Sequence, residues 1–235
     1  MSVFSTLTEM LRRVAHALGP HLCQQMTFVG GCTTGLLLTD DYTREQVRST
    51  DDVDLIVHVM GVIGFTKLRE QLREQGFSEY PPSGDEDVPI CSMRLGELRV
   101  DFMPDDESLG FSNRWYKAAM ATSTQYQLDE STAIMLVSPV YFIATKLEAW
   151  KGRGNGDALA SRDIEDVLNL VDGREELMGE VQAADEAVQD YIAMEIATLF
   201  ADRNFQDAVS SQSRGDTDRE GLIWERLETL AQGRR

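Results

Sequence analysis

A chain of 235 residues carrying a formal charge of −18, with 42% hydrophobic and 26% charged residues, has length for one large or two small domains and apolar content enough to fold. That acidity argues against a dedicated nucleic-acid binder, which shows a basic face. No apolar run approaches the ~20 residues of a membrane span, so no membrane association is expected.

The N-terminus reaches Glu9 and Arg12-Arg13 too soon for a secretory signal. Cys23, Cys32 and Cys91 are scattered and without zinc spacing, which suggests free thiols in a reducing cytoplasm. Leu7, Met10, Leu11, Val14 and Leu18 mark an amphipathic helix ended by Gly19-Pro20. Residues 27–29 predict a strand feeding a Gly30-Gly31 turn, and 33–38 a short helix whose N-terminus attracts phosphate. A polar loop is expected from 40 to 48, a strand over 53–57, a helix over 65–75 and a loop over 80–87. Residues 90–95 and 98–103 read as a hairpin about Gly96-Glu97, followed by a helix at 115–122 and a short strand at 133–137. This alternation predicts an α/β (α+β) front half, a mixed sheet with helices on it, over 1–137.

From Ser138 to the end, 138–235, the pattern is helical. Ser138 and Pro139 suit an N-cap and first helical residue, and Val140, Ile143, Ala144 and Leu147 form the inward stripe. Gly152 and 154–156 are expected to stop that helix. Asp163 or Ser161 caps the next, with Ile164, Val167, Leu168 and Val171 inward. Three further helices fit between Glu175 and Gly233, with a polar loop over 210–219. The tail is strongly acidic, whereas Lys146, Lys151, Arg153 and Arg162 make a locally basic stretch. A basic pocket in an acidic body suits a small phosphorylated substrate better than a long duplex.

Two stretches carry chemistry: Phe28-Val-Gly-Gly-Cys-Thr-Thr-Gly35, and Arg48-Ser-Thr-Asp-Asp-Val-Asp-Leu55. Asp52 and Asp54, alternate residues of a strand, project side by side. Two adjacent carboxylates repel unless a cation sits between them, and Mg²⁺ (or Mn²⁺), a hard ion preferring oxygen, is the natural occupant. In Leu98-Arg-Val-Asp-Phe-Met103, Arg99 and Asp101 share one strand face and Val100 and Phe102 the other. Beside 53–57, that strand adds Asp101 to the pair. Three such carboxylates suit a two-ion site for in-line displacement at phosphorus. Glycines at 30 and 31 allow close backbone approach, with N–H groups facing a phosphate. Arg48 pairs with Asp51 or reaches a phosphate; Thr33 and Thr34 serve as cap residues or ligands.

Gly30-Gly31, Arg48-x-Thr50-x-Asp52-Val53-Asp54 and Asp101 resemble the DNA polymerase beta-like nucleotidyltransferase superfamily, and more closely its AbiEii/AbiGii-type toxin nucleotidyltransferases. Lys146-Leu-Glu-Ala-Trp-Lys151-Gly-Arg153 and Arg162-Asp163-Ile-Glu-Asp166 are similar to that family's Lys-rich helix and Asp-x-x-Asp segment, so the resemblance spans roughly 20–172. It departs at Cys32, where many members have a serine that helps hold the triphosphate; Thr33 or Thr34 is left to supply a hydroxyl. The resemblance implies a nucleotidyltransferase-like domain over 1–137 and a Mg²⁺-dependent enzyme. Lys146 and Arg153 are implied to serve the nucleoside triphosphate. One of Asp163 and Asp166 is implied to orient those cations or activate the acceptor, while the other decorates its helix. It implies the 3′ end of tRNA as acceptor and an antitoxin as partner. Two alternatives stay open: a small-molecule (aminoglycoside- or lincosamide-type) transferase, and a nucleotide-binding or interaction module without catalysis.

Overall fold

The computed structural model describes residues 2–59, 61–79, 89–107, 110–153 and 156–233. The loop expected over 80–87 and two of the stop signals, 154 and 155, lie outside them. No helix among the described residues is long and apolar enough to cross a membrane. The chain is α/β: a seven-stranded mixed sheet flanked by helices, with a helical C-terminal part. It divides into two compact units, residues 1–33 with 48–138, and residues 34–47 with 139–235.

The first unit holds the sheet. Its strands are β1 (Met26–Val29), β2 (Asp52–Val57), β3 (Ser78–Glu79), β4 (Ser92–Leu95), β5 (Leu98–Pro104), β6 (Thr124–Gln127) and β7 (Ala133–Leu136), in the order β3-β4-β5-β2-β1-β7-β6. β2 is central. It runs antiparallel to β1 and parallel to β5, so three strands of apolar alternation bury Phe28, Val53, Leu55, Val100 and Phe102. α1 (Val3–Cys23) lies along β1, β2 and β7 through Leu7, Leu11, Val14 and Leu18. Its regular turns break at Gly19, with φ of 70°, and one turn resumes from Pro20. α4 (Gly61–Glu74) and α5 (Tyr116–Ala121) complete this unit. The sequence reading passes over β3 and β6; both are short and exposed, so they lack the apolar alternation that marks a strand.

The second unit is helical: α2 (Thr34–Leu37), α3 (Asp41–Arg44), α6 (Pro139–Gly152), α7 (Arg162–Gly173), α8 (Leu177–Gln182), α9 (Glu186–Leu199), α10 (Arg203–Ser213) and α11 (Thr217–Gln232). Residues 40–48, expected as a loop, contain α3, which Asp40 caps through Thr43 N–H. The whole stretch 34–47 belongs with the helical unit for a physical reason. Thr39 and Asp40 N–H both donate to the Gly173 carbonyl at 2.9 Å, and Arg174 Nη1 donates to Leu37 O at 2.7 Å. Ser161, not Asp163, caps α7 by accepting from Ile164 N–H. Among the described residues, four helices rather than three follow residue 175. The expected loop at 210–219 shrinks to a turn, because Arg214 takes the left-handed conformation and Asp216 caps α11 at once.

Candidate active site

Strand register assembles the first unit's polar cluster. Asp54 stands level with Asp101 in the parallel β2–β5 ladder, and Asp52 lies two residues away on the same face. One oxygen from each of Asp52, Asp54 and Asp101 lies within 4.8 Å of the others. Oxygens sharing an octahedral ion at about 2.1 Å lie about 3–4 Å apart, so small side-chain rotations close this trio onto a hard divalent cation. The donor set, carboxylate only, fits Mg²⁺ or Mn²⁺ and not a soft metal.

The diglycine bend abuts the trio. β1 ends at Val29, opposite Asp54, which delivers Gly30 against that carboxylate. Gly30 has φ of 81°, and a Cβ there would collide with the Asp54 side chain. A Cβ on Gly31 would meet the Arg48 guanidinium, so a fixed positive charge lies against the bend. We expect Gly30→Ala to cost about 2 kcal/mol or more, the left-handed strain of ~1–2 kcal/mol plus displacement of Asp54. A urea midpoint reads the first part, and loss of Mn²⁺ binding by the folded variant reads the second.

Neighbouring groups set the electrostatics. Thr50 Oγ1 donates to Asp52 Oδ1. Arg99 donates from Nε (3.0 Å) and Nη2 (2.7 Å) to the two oxygens of Asp101. These hydrogen bonds, helped by the charges of Asp101, Asp52 and Asp54, hold the guanidinium protonated beyond its ordinary range. Burial, reinforced by Asp54 and Asp52, pushes the Cys32 thiol well up, so it is no nucleophile. Burial with Asp101 nearby pushes Cys91 up to about 12. Thr33 spends its hydroxyl proton on the Gly30 carbonyl at 2.8 Å, which tightens the bend. Its role is therefore to shape the turn, and the residue is fully buried.

The other sequence-predicted residues, Thr34, Lys146, Arg153, Asp163 and Asp166, form a second cluster inside the helical unit. Lys146 Nζ lies 2.6 Å from Asp166 and 3.5 Å from Asp163. Arg153 Nη1 also pairs with Asp163, and Thr34 Oγ1 donates to Asp166 at 3.1 Å. Two cations balance two anions, three of the four buried. Neither aspartate merely decorates α7: both are buried and both engage Lys146. Their spacing of three puts them on one helix face. Lys151 instead pairs with Glu195 at 2.7 Å and lies over the Tyr191 ring.

Arg99 and Thr50 carry site contacts that the sequence reading leaves without a role. The signal for Arg99 is an opposite charge two residues from Asp101 on one strand face; for Thr50 it is the same spacing before Asp52. No protein-family model matches the chain, and no curated protein matches it.

Proposed function

We propose that the first unit is a metal-dependent nucleotidyltransferase centre. The observation that carries this reading is the convergence of three carboxylates against a bend at which a Cβ has no room. Acidic clusters on a surface are common; an acidic cluster with a backbone turn wedged against it is what a phosphate bridging metal and N–H groups needs.

Asp52, Asp54 and Asp101 hold the ion or ions. A bound divalent ion supplies positive charge that offsets the charge building on the entering and leaving oxygens. The Gly30-Gly31 backbone receives the triphosphate, and Arg48 opposes its negative charge. The acceptor hydroxyl attacks the α-phosphorus; its oxygen–phosphorus bond forms as the bond to pyrophosphate breaks. Asp101 takes the hydroxyl proton. The resemblance assigns Lys146 and Arg153 to the triphosphate as well, but within the helical unit these cations are taken up by Asp163 and Asp166.

For the acceptor, the toxin resemblance favours tRNA and an antitoxin partner. The net charge of −18 favours a small hydroxylated molecule instead, because an acidic body repels a polyanion. The test uses triphosphates labelled at α or γ, with Mg²⁺, total tRNA and a panel of aminoglycosides and lincosamides. Transfer of the α label alone, with unlabelled acceptor controls blank, supports the reading. Transfer of the γ label marks a phosphotransferase, and transfer of neither label marks a binding module; either outcome overturns it.

A further inference from the structure

Asp101 is held along its own strand by both nitrogens of the Arg99 fork. Across the β4–β5 ladder it stands directly opposite Ser92. Residues so paired share a face, with Cβ atoms about 5 Å apart. Ser92 is 3% exposed, and its Oγ has no hydrogen-bond partner among the described residues. A buried hydroxyl without a partner is costly and rare in a folded chain. The carboxylate across the ladder is an acceptor that a side-chain rotation brings towards it.

We propose that Asp101 is a two-position carboxylate: Arg99 holds it in one position and competes with a divalent ion for it, and Ser92 receives it in the position that serves the ion. This rests on the metal-binding part of the reading above and not on the identity of the acceptor. Arg99 already neutralises one of three negative charges, so an ion must displace or oppose a guanidinium to gain the full trio. Ser92 offsets the loss by donating to one Asp101 oxygen while the other turns to the metal. Arg99, on letting Asp101 go, offers its planar fork to a phosphate oxygen of the incoming triphosphate, the geometry a guanidinium favours. Arg99 and Ser92 are thus positioning residues that act through Asp101.

Mn²⁺ titration of the full chain without nucleotide, followed by loss of the free-ion paramagnetic resonance signal, tests this. Arg99→Gln is expected to tighten Mn²⁺ binding by about fivefold or more, since one fewer cation opposes the ion. Arg99→Lys, which keeps the charge, stays within about twofold of the parent and serves as the charge-preserving control. Ser92→Ala is expected to weaken Mn²⁺ binding by about threefold while its melting temperature stays level or rises, because an unpartnered buried hydroxyl is removed. A merely structural serine would lower the melting temperature and leave the ion affinity alone. Unchanged or weaker Mn²⁺ binding in Arg99→Gln, or unchanged binding in Ser92→Ala, overturns the two-position proposal while the parent's own binding upholds the metal centre. Absence of Mn²⁺ binding in the parent protein overturns the metal centre and this proposal with it.

Discussion

Asp54→Asn is expected to cut nucleotidyl transfer by about a thousandfold or more and leave the melting temperature unchanged or higher. The activity loss follows from removing a charged oxygen donor from the trio; metal-ion stabilisation is worth several kcal/mol, and roughly 4 kcal/mol is a thousandfold in rate. The stability follows from the opposite sign of the same electrostatics. Asp52, Asp54 and Asp101 repel one another, and Asn keeps the shape of Asp54 while removing one charge. A residue whose loss destroys activity without cost to folding is held for chemistry. Thermal denaturation and α-label transfer on the same preparation check both halves. A variant that melts several degrees lower and keeps its activity would show that Asp54 supports the sheet and nothing more.

Lys146→Ala is expected to do the reverse and destabilise the protein by about 3–5 kcal/mol. The Lys146 side chain is only 11% exposed and lies between Asp163 and Asp166, both buried. Removing it leaves two buried carboxylates facing each other with Arg153 on one of them, the situation in which a broken ion pair costs most. Arg153→Ala is the contrast. Its side chain is 70% exposed, and solvent-screened pairs are worth about 0–1 kcal/mol. Urea midpoints for the two variants should therefore differ clearly. The double variant Lys146→Met/Asp166→Asn should recover part of the loss, since its remaining charges, Arg153 and Asp163, still balance. Equal midpoints for Lys146→Ala and the parent would show that the buried cluster contributes nothing to the fold.

These two sites also show what was legible in the sequence. The carboxylate trio was legible because strand alternation is strict: Asp52 and Asp54 share a face by spacing, and Arg99-Val-Asp101-Phe shows which face its strand buries. The step that spacing alone leaves open is β5 lying beside β2 in parallel register, which is fixed only in the folded sheet. The helices of the second unit were legible from their apolar stripes, and the start of α6 from Pro139, but the cap of α7 was legible only as a choice between two residues. Ser161 and Asp163 both suit an N-cap, and which one serves depends on Lys146 and Arg153 drawing Asp163 inward. Residues 34–47 read as part of the front half because they lie between its first two strands in the chain. Their attachment to the helical unit runs through backbone carbonyls at Leu37 and Gly173, and carbonyls leave no trace in a sequence. Ser92 was invisible for a related reason: an unpartnered hydroxyl is a property of surroundings, not of residue type.

Isothermal calorimetry of each nucleoside triphosphate against the parent protein, with and without Mg²⁺, tests the whole account most directly. Binding that requires Mg²⁺ and is lost in Asp54→Asn is the expected result. Triphosphate binding of equal strength in the chelator-treated protein, or no binding under either condition, would contradict it.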